Sequence, residues 1–339
     1  MRKSVKIFLA ISGILILTGC IGAFLAYRYV NQRYDGENKR IYISASSTPE
    51  ALHKLLVDSL GVKYGDAVYK TWNLRKGNIA RTHGSYLVKT GETALKLGTR
   101  LRGGAQNPVK VTIANRRNER EALEQIASNF EFTPAQLENA LDSILTSRNI
   151  DLRYRSAIIL PDSYEFYWTA TPTYVADYIT GQWNKFWTDS RKQKAAALRL
   201  TPFEVSVLAS IVEEETAKSD ERPVVARLYL NRLERNMRLQ ADPTVKYAVG
   251  DPTLRRILNQ HLATESPYNT YMVDGLPPGP IRMVDKSTLE AVLNAPTHNY
   301  LYMCAKEDFS GYHNFATNLS THNANAARYH AALNARNIR

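Results

Sequence analysis

The chain has 339 residues, of which 44% are hydrophobic and 22% are charged, and its formal net charge is +12. These values are typical of a globular protein of about two domains, and they exclude wholesale disorder, a collagen-like chain and a polytopic membrane protein. The basic excess favours an anionic partner, such as nucleic acid, a membrane surface or an acidic wall polymer. The two cysteines, Cys20 and Cys304, are too few for a disulfide framework or a cysteine-rich metal site.

The N-terminal segment has the pattern of a membrane anchor. Residues 7–27 carry no charge, and about 20 apolar helical residues span a bilayer. Arg2, Lys3 and Lys6 precede this run. Because such positive residues stay on the cytoplasmic side, the rest of the chain is expected outside the cytoplasm. That location disfavours nucleic acid as the partner and favours anionic lipid or wall polymer.

Two other interpretations of the N-terminus compete with the single span. A cleaved signal peptide requires a polar start of the mature chain, but residues 21–26 continue the apolar run. Residues 17–20 (LTGC) resemble a lipobox, which would make Cys20 a lipidated residue and the protein a lipoprotein. The apolar residues after Cys20 favour the span, and both anchors leave the working part of the chain outside the cytoplasm.

The following region alternates short predicted strands and helices. Residues 31–40 are polar and indicate a linker, and residues 40–44 predict a strand. Thr48 and Pro49 predict the N-cap and first residue of a helix. Further strands are predicted at 86–88 and 109–113, and further helices before Gly103, at 119–130 and from 133 onward. These small units are similar to LysM modules, which bind wall glycan; a generic α+β support domain is the equal alternative.

The second half of the chain begins with an aromatic segment at 161–167 and a predicted helix at 171–186. A capping-box pattern at 201–204 predicts the start of another strong helix. At 100° per residue, its apolar residues form one stripe, made of Phe203, Val207, Leu208, Ile211 and Val212. Three glutamates follow. Glu213 is expected opposite the stripe and solvated, Glu214 at its edge, and Glu215 within it.

The predicted position of Glu215 indicates an acid. A carboxyl group among apolar residues loses the hydration of its charged form, so its pKa rises. A raised pKa suits the general acid of glycosidic bond cleavage near neutral pH. The alternative is that Glu215 simply ends the helix and pairs with Arg222 or Arg227.

A series of motifs in this half resembles the MltG (YceG-like) family of endolytic murein transglycosylases. The motifs are ASIVEEET at 209–216, RLYLNRL at 227–233, RLQADPTV at 238–245, SPYNTY at 266–271, GLPPGPI at 275–281 and TNLSTHN at 317–323. Their order and spacing follow the family from about residue 161 to 323, and a weaker match reaches back to about residue 40.

The resemblance implies an α+β protein of the bacterial inner membrane, with one span and a periplasmic catalytic domain. We expect a cytoplasmic tip and transmembrane helix at 1–30, a linker at 31–40, a LysM-like support or glycan-binding region at 41–155, and a mixed α/β catalytic domain at 156–339. Family members cut nascent peptidoglycan strands internally between MurNAc and GlcNAc, leave 1,6-anhydro-MurNAc ends and so terminate strand elongation. Glycan strands are the implied substrate, and peptidoglycan synthases are candidate partners.

The first motif aligns Glu215 with the catalytic glutamate of the family, the same residue that the helical pattern selects. In this lyase chemistry Glu215 protonates the glycosidic oxygen, and the muramic C6 hydroxyl then attacks C1 and returns a proton to it. The reaction needs no metal, cofactor or water. Many members carry a Glu-Gly pair at the position of residues 156–160, where this chain has no acid, so no role of that acid is transferred.

The candidate substrate-binding residues are Gln240, Asp242, Thr244, Asn269, Thr270, Tyr271 and Asn318. If the stretch around Asp242 is extended, residues two positions away share its face; an Asp-Pro turn is the alternative. Residues 269–271 offer an amide, a hydroxyl and an aromatic face for a sugar ring, or they form a polar loop. Asn318 binds substrate or caps the last helix.

Two other functions stay open at this point. One is a non-catalytic peptidoglycan-binding or assembly protein of the same fold, and the other is a muramidase that uses water. The presence of Glu215 within the apolar stripe favours an enzyme. The product ends, anhydro or reducing, separate the transglycosylase from the muramidase.

Overall fold

The computed structural model describes residues 3–251, 254 and 257–336, and the side chains from residue 7 onward. Its first helix, α1, is Lys3–Val30. The part from Ile7 to Val30 is apolar and unburied, and it is long enough to cross a membrane. This finding is consistent with a single-pass anchor. Arg2 and the side chains of Lys3 and Lys6, on which the predicted orientation depends, lie outside the described part.

The chain divides into two compact units. Unit 1 contains Met1–Val111, Asn129–Glu131 and Glu165–Ala170, and unit 2 contains Thr112–Ser128, Phe132–Tyr164 and Thr171–Arg339. The limits of these units differ from the predicted boundary between residues 155 and 156. The division into a support region and a catalytic region at that boundary stays a prediction. The mixture of helices and strands confirms the α+β class.

Unit 1 consists of a two-stranded sheet and several helices. The antiparallel strands are β1 (Lys39–Ile43) and β2 (Gly84–Val88), with Ile41 opposite Tyr86. The helices after α1 are α2 (Pro49–Leu60), α3 (Val62–Leu74), α4 (Ile79–Thr82) and α5 (Ala94–Gly103). The Thr48 hydroxyl accepts a hydrogen bond from the Ala51 N–H at 3.2 Å, which confirms the predicted cap.

The predicted linker at 31–40 is not a free segment. The Tyr34 N–H donates to the Glu92 carbonyl at 3.0 Å, and the Gly91 N–H donates back to the Tyr34 carbonyl at 2.7 Å. The polar composition of this stretch reflects its exposed side chains, whereas its backbone is paired with the turn before α5. Upstream, the Tyr29 hydroxyl near the end of α1 donates to Asp66 on α3 at 2.5 Å.

A second sheet pairs β3 (Val109–Ile113) with β4 (Asp162–Phe166), and the division between the units passes through both strands. The third sheet, in unit 2, is the antiparallel pair β5 (Tyr302–Ala305) and β6 (His313–Ala316), with Ala305 opposite His313. Short strands of this kind contribute local order, and the bulk of unit 2 is helical.

The helices of unit 2 are α6 (Glu119–Ala127), α7 (Pro134–Ser147), α8 (Arg155–Ile158), α9 (Pro172–Phe186), α10 (Asp189–Ala197), α11 (Pro202–Glu215), α12 (Arg222–Glu234), α13 (Asp242–Val249), α14 (Asn259–Leu262), α15 (Lys286–Leu293) and α16 (Leu319–Ala335). Thr201 and Glu204 form the predicted capping box of α11. The predicted helix at 171–186 is confirmed as α9 with Thr171 as its cap.

The helix α11 is the central helix of unit 2. It packs against α12, α13 and α15, and every residue from Val205 to Glu213 is buried. The expectation that Glu213 is solvated is therefore wrong. A wheel with one apolar stripe assumes one buried face, but neighbouring helices cover α11 on several sides, so the position opposite the stripe is buried too.

Candidate active site

The C-terminal end of α11 presents three consecutive glutamates whose surroundings differ. Glu213 is only 8% exposed. The Arg222 guanidinium lies 2.9 Å from its carboxylate, and the Thr288 hydroxyl on α15 also donates to it. A cation and a further donor thus satisfy this buried carboxylate. Glu213 therefore serves to join α11, α12 and α15.

Glu214 is also neutralised. The Arg282 guanidinium donates to its Oε1 at 2.5 Å, and Arg117 donates to both carboxylate oxygens. Arg282 in turn contacts the Asn115 side chain at 2.9 Å. This carboxylate is therefore held by charge-assisted hydrogen bonds from two guanidinium groups.

Glu215 differs from both neighbours because, in the described part of the chain, it forms no ion pair. The Tyr229 hydroxyl on α12 donates a hydrogen bond to its Oε1 at 2.6 Å. The alternative pairing with Arg222 or Arg227 is wrong, since these arginines are engaged elsewhere. Arg222 pairs with Glu213, and Arg227 lies 2.6 Å from the Glu234 carboxylate.

Burial raises the pKa of Glu215 to about 7, and the charge of Asp242 also raises it. The hydrogen bond from Tyr229 and the charge of Arg232 act in the opposite direction. A carboxyl group with this pKa is protonated in about half of the molecules at neutral pH, so it can donate a proton and later take one back.

The Glu215 carboxyl lines a cavity of about 230 Å³. The walls also include Tyr229, Arg232, Gln240, Asp242, Tyr271 and His313. This volume is below the roughly 300–1,000 Å³ of typical ligand pockets, so the cavity can enclose the reacting part of a polymer rather than a whole ligand. Polar groups of several types surround the Glu215 carboxyl group.

Three of the predicted substrate-binding residues line this cavity: Gln240, Asp242 and Tyr271. The Tyr271 hydroxyl donates to the Asp242 carboxylate at 2.7 Å, and burial raises the pKa of Tyr271. The stretch around Asp242 is not extended, because Asp242 begins α13 with proline at the next position. Proline suits the first turn of a helix, where its missing N–H costs no hydrogen bond.

Four other predicted residues lie outside the cavity walls. The buried Thr244 and Thr270 hydroxyls lie 2.8 Å apart and join α13 to the following loop. The buried Asn269 side chain donates to two backbone carbonyls, at 3.0 and 2.8 Å. Asn318 caps α16 by accepting from the Thr321 N–H at 2.9 Å. Through these contacts each of the four side chains stabilises the local fold. Direct contact of any of them with substrate stays a prediction.

Three further residues of the cavity walls are not predicted from the sequence: Tyr229, Arg232 and His313. The first two lie in the motif at 227–233, but nothing in the pattern showed which of its side chains turn towards Glu215. Arg232 is 7% exposed, and its guanidinium donates to the Leu301 and Leu239 carbonyls at 2.6 and 2.8 Å. His313 lies on β6, which the sequence analysis did not predict.

A larger cavity of about 520 Å³ lies beside Glu214, with Arg117, Lys246 and Tyr247 in its walls. Its carboxylate from α11 is the one that two arginines neutralise, so this cavity presents an ion-paired carboxylate at that position. Among the described residues, no group of three or more His, Cys, Asp or Glu side chains could hold a metal ion.

A model of the YceG-like family matches residues 41–328. The chain is 35% identical over 148 residues to a Bacillus subtilis protein named endolytic murein transglycosylase, covering 44% of this chain and 40% of the relative. It is 34% identical over 134 residues to a Streptococcus pneumoniae protein of the same name, covering 38% of this chain and 24% of the relative. These matches span less than half of the length of either relative.

A crystal structure of a YceG-like protein from Listeria monocytogenes has a similar fold. The TM-score is 0.54 at 22% sequence identity, and the match covers 85% of this chain and 98% of that one. The identity is low, so this similarity concerns the fold alone.

Proposed function

Since the chain belongs to the YceG-like family, we propose that it is an endolytic lytic transglycosylase that cleaves the MurNAc–GlcNAc bond of peptidoglycan strands. The observation that carries the proposal is the state of Glu215. Of three adjacent carboxyl groups at one helix end, it is the one without an arginine partner among the described residues. It lines the cavity of about 230 Å³, and its pKa is about 7. The name of the curated relatives supports the same substrate.

In the proposed reaction Glu215 acts first as an acid and then as a base. Its proton passes to the glycosidic oxygen, and the bond between C1 of MurNAc and that oxygen breaks. The C6 hydroxyl oxygen of the same MurNAc forms a bond with C1, and its proton passes to Glu215. The products are a 1,6-anhydro-MurNAc end and a new GlcNAc 4-hydroxyl, and the acid is regenerated without water.

Tyr229 assists both halves of this cycle. Its hydroxyl donates to Glu215 Oε1 at 2.6 Å, so it restrains the carboxyl group and stabilises the carboxylate formed after the first proton transfer. A hydrogen bond to the charged form lowers a pKa, which offsets part of the effect of burial. The acid therefore keeps a pKa near the working pH, where acid and base catalysis by one group is most effective.

We also propose roles for the predicted substrate-binding residues. Gln240, Asp242 and Tyr271 contact the sugar bound beside Glu215, while Thr244, Asn269, Thr270 and Asn318 hold the surrounding loops and helix. Support for the first group comes from their places in the cavity walls. Asp242 accepts a hydrogen bond from Tyr271, so the pair presents a fixed carboxylate to the substrate.

We further propose that α1 anchors the chain in the bacterial inner membrane with the rest of the chain on the periplasmic side. The unburied apolar surface of α1 supports the anchor. The region 41–155 would act as a LysM-like glycan-binding or support region, with the catalytic region at 156–339 ending the growth of nascent strands made by neighbouring synthases. The curated relatives are named for a murein substrate. Murein lies on the periplasmic side of the inner membrane.

A water-using muramidase is the second candidate, and Asp242 is the observation that favours it. Hydrolases of this kind use two carboxyl groups, and Asp242 lines the same cavity as Glu215. The two reactions differ in their products, because hydrolysis leaves reducing ends whereas transglycosylation leaves anhydro ends.

The test is digestion of uncrosslinked glycan strands by the full chain in detergent, with mass analysis of the new ends. We expect anhydro-MurNAc ends from the wild type and a loss of about 10²–10⁴-fold in Glu215→Gln. Glu204→Gln is the matched control at the other end of α11, where glutamine also satisfies a capping box, and it should keep full activity.

Other outcomes would replace the proposal. Reducing ends would establish the muramidase. Strand binding without cleavage would indicate a wall-binding or assembly protein. Equal cleavage by the wild type and Glu215→Gln would mean that another group is the acid.

A further inference from the structure

A histidine–glutamate pair lies beside the proposed acid. His313 begins β6 and lines the same cavity as Glu215. Its Nδ1 is 2.7 Å from Glu221 Oε2, and its backbone N–H donates to Glu221 Oε1 at 2.7 Å. Both carboxylate oxygens of Glu221 are thus engaged by one residue of β6.

Glu221 is 5% exposed, and it also accepts a hydrogen bond from the Thr216 hydroxyl at 3.0 Å. Thr216 directly follows Glu215, so Glu221 links the end of α11 to the first residue of β6. An ionised carboxylate accepts hydrogen bonds and does not donate them. The proton of the neutral imidazole is therefore on Nδ1, and Nε2 carries a lone pair.

The second ring nitrogen of His313 has no such partner. Within the described residues, Nε2 forms no hydrogen bond, and the side chain is 16% exposed at the wall of the cavity. His298 provides the contrast. Its Nε2 lies 3.0 Å from the Val224 carbonyl and its Nδ1 accepts from the Tyr300 N–H at 3.1 Å, so both nitrogens are used within the fold.

Several donors in the cavity are already engaged. The Tyr229 hydroxyl donates to Glu215, the Tyr271 hydroxyl to Asp242, and Arg232 to backbone carbonyls. In the neutral ring Nε2 of His313 is an acceptor, and Glu221 orients the ring through its contact with Nδ1. A sugar ring has matching donors in its hydroxyls and in its acetamido N–H.

We propose that His313 is a substrate-binding residue whose Nε2 accepts a hydrogen bond from a hydroxyl or acetamido N–H of the sugar beside Glu215, with Glu221 as the residue that positions it. This inference rests on the proposed function, because it takes an amino sugar of the glycan strand as the ligand. His313 belongs to none of the sequence motifs, and it would provide a substrate contact from β6.

Two substitutions separate this role from a structural one. His313→Asn keeps a donor at the place of Nδ1 and removes Nε2, whereas His313→Gln places an amide near Nε2 and removes the donor to Glu221. If Nε2 binds the sugar, kcat/KM on glycan strands should fall by about tenfold or more in His313→Asn, and His313→Gln should retain more activity. His330→Asn, at an exposed position of α16, is the control for the substitution itself.

The assays use the full chain in detergent, below the thermal midpoint of the least stable variant, with rates divided by the folded fraction. The inference is overturned if His313→Asn keeps activity within about twofold of the wild type, or if it is more active than His313→Gln. Its failure is distinct from that of the proposed function. The inference fails alone when the wild type cleaves strands and Glu215→Gln does not, whereas both fail when the wild type cleaves nothing.

Discussion

Unit 1 contains a buried glutamate, Glu92, and unit 2 contains a half-buried one, Glu215, and the two have different kinds of partner. In unit 1, Glu92 is 8% exposed and the Arg100 guanidinium lies 2.9 and 3.1 Å from its two carboxylate oxygens. Arg100 also donates to the Asn107 side chain at 2.5 Å. In unit 2, Glu215 has a tyrosine hydroxyl in place of a guanidinium.

The difference shows that the partner of a glutamate decides whether the residue stabilises the fold or can transfer a proton. A carboxylate that is matched by a guanidinium is fixed in its charged form, and it contributes to stability only as long as the pair is intact. A carboxyl group without a cation can exchange its proton near neutral pH, but its charged form is costly to bury. Unit 1 has the first arrangement and the proposed active site of unit 2 has the second.

The largest effect is expected from breaking the pair in unit 1. Arg100→Met leaves the buried Glu92 carboxylate without its cation, and a broken buried pair costs about 3–5 kcal/mol. The free energy of unfolding, measured with urea, should fall by that amount. Arg102→Met is the matched control on the same helix, because Arg102 is exposed. Equal losses in both variants would show that the pair is not the reason for the effect.

For Glu215, the acid of unit 2, we expect a substitution to raise the free energy of unfolding instead of lowering it. The pKa of Glu215 is about 7 in the folded state and about 4.5 in the unfolded state. The folded state therefore binds more protons between these values, and the contribution of the protonated acid to stability is complete below about pH 4.5 and lost as the pH rises through 7. Glu215→Gln, which stays neutral, should be more stable than the wild type at pH 8, by on the order of 1–3 kcal/mol.

This gain should vanish at pH 4.5, where the wild-type acid is protonated too. Glu214→Gln serves as the comparison, since it loses the interaction with Arg117 and Arg282 and should destabilise the chain at both pH values. Thermal unfolding of the three proteins at pH 4.5 and 8 decides the matter. A destabilised Glu215→Gln at pH 8 would contradict the unpaired state of this acid.

A smaller effect is expected from the tyrosine. The hydrogen bond from Tyr229 lowers the pKa of Glu215, so Tyr229→Phe should raise it. The decline of activity at alkaline pH, which reflects deprotonation of the acid, should then move to higher pH. The measurement is kcat/KM on glycan strands across the pH range. A variant whose rate falls at every pH without a shift of this limb would show that Tyr229 acts only by positioning.

The smallest effect is expected from the more distant charge. Asp242 raises the pKa of Glu215, so Asp242→Asn should move the same alkaline limb to lower pH, opposite to Tyr229→Phe. Asparagine can still accept the hydrogen bond from Tyr271, which limits the structural change. A shift in the same direction for both variants would contradict the electrostatic account.

Local rules were sufficient for much of the fold. Caps at Thr48, Thr171 and Thr201 set the starts of three helices because an N-cap side chain bonds the backbone within three residues of itself. The strand at 109–113 also forms as its alternating pattern predicts. Such features depend on neighbours in sequence, which any single chain displays.

The site was predictable only in part, because partners far apart in sequence decide it. The helical pattern predicted Glu215 as a carboxyl group among buried residues, yet the same pattern placed Glu213 in solvent. The arginines that neutralise Glu213 and Glu214, at 222, 117 and 282, come from separate parts of the chain. No spacing rule connects them to α11, and none connects His313 to the cavity.

The way in which α1 is joined to the rest of unit 1 has a mechanical consequence. A helix of 28 residues is about 42 Å long, which exceeds the roughly 30 Å of hydrocarbon in a bilayer. Its last turn is joined to α3 through Tyr29 and Asp66, and the chain after it is hydrogen-bonded to the turn before α5. In a bilayer, α1 would therefore be rigidly coupled to the rest of unit 1 instead of acting as a flexible tether. A change in the tilt of α1 would then rotate the rest of unit 1 with it.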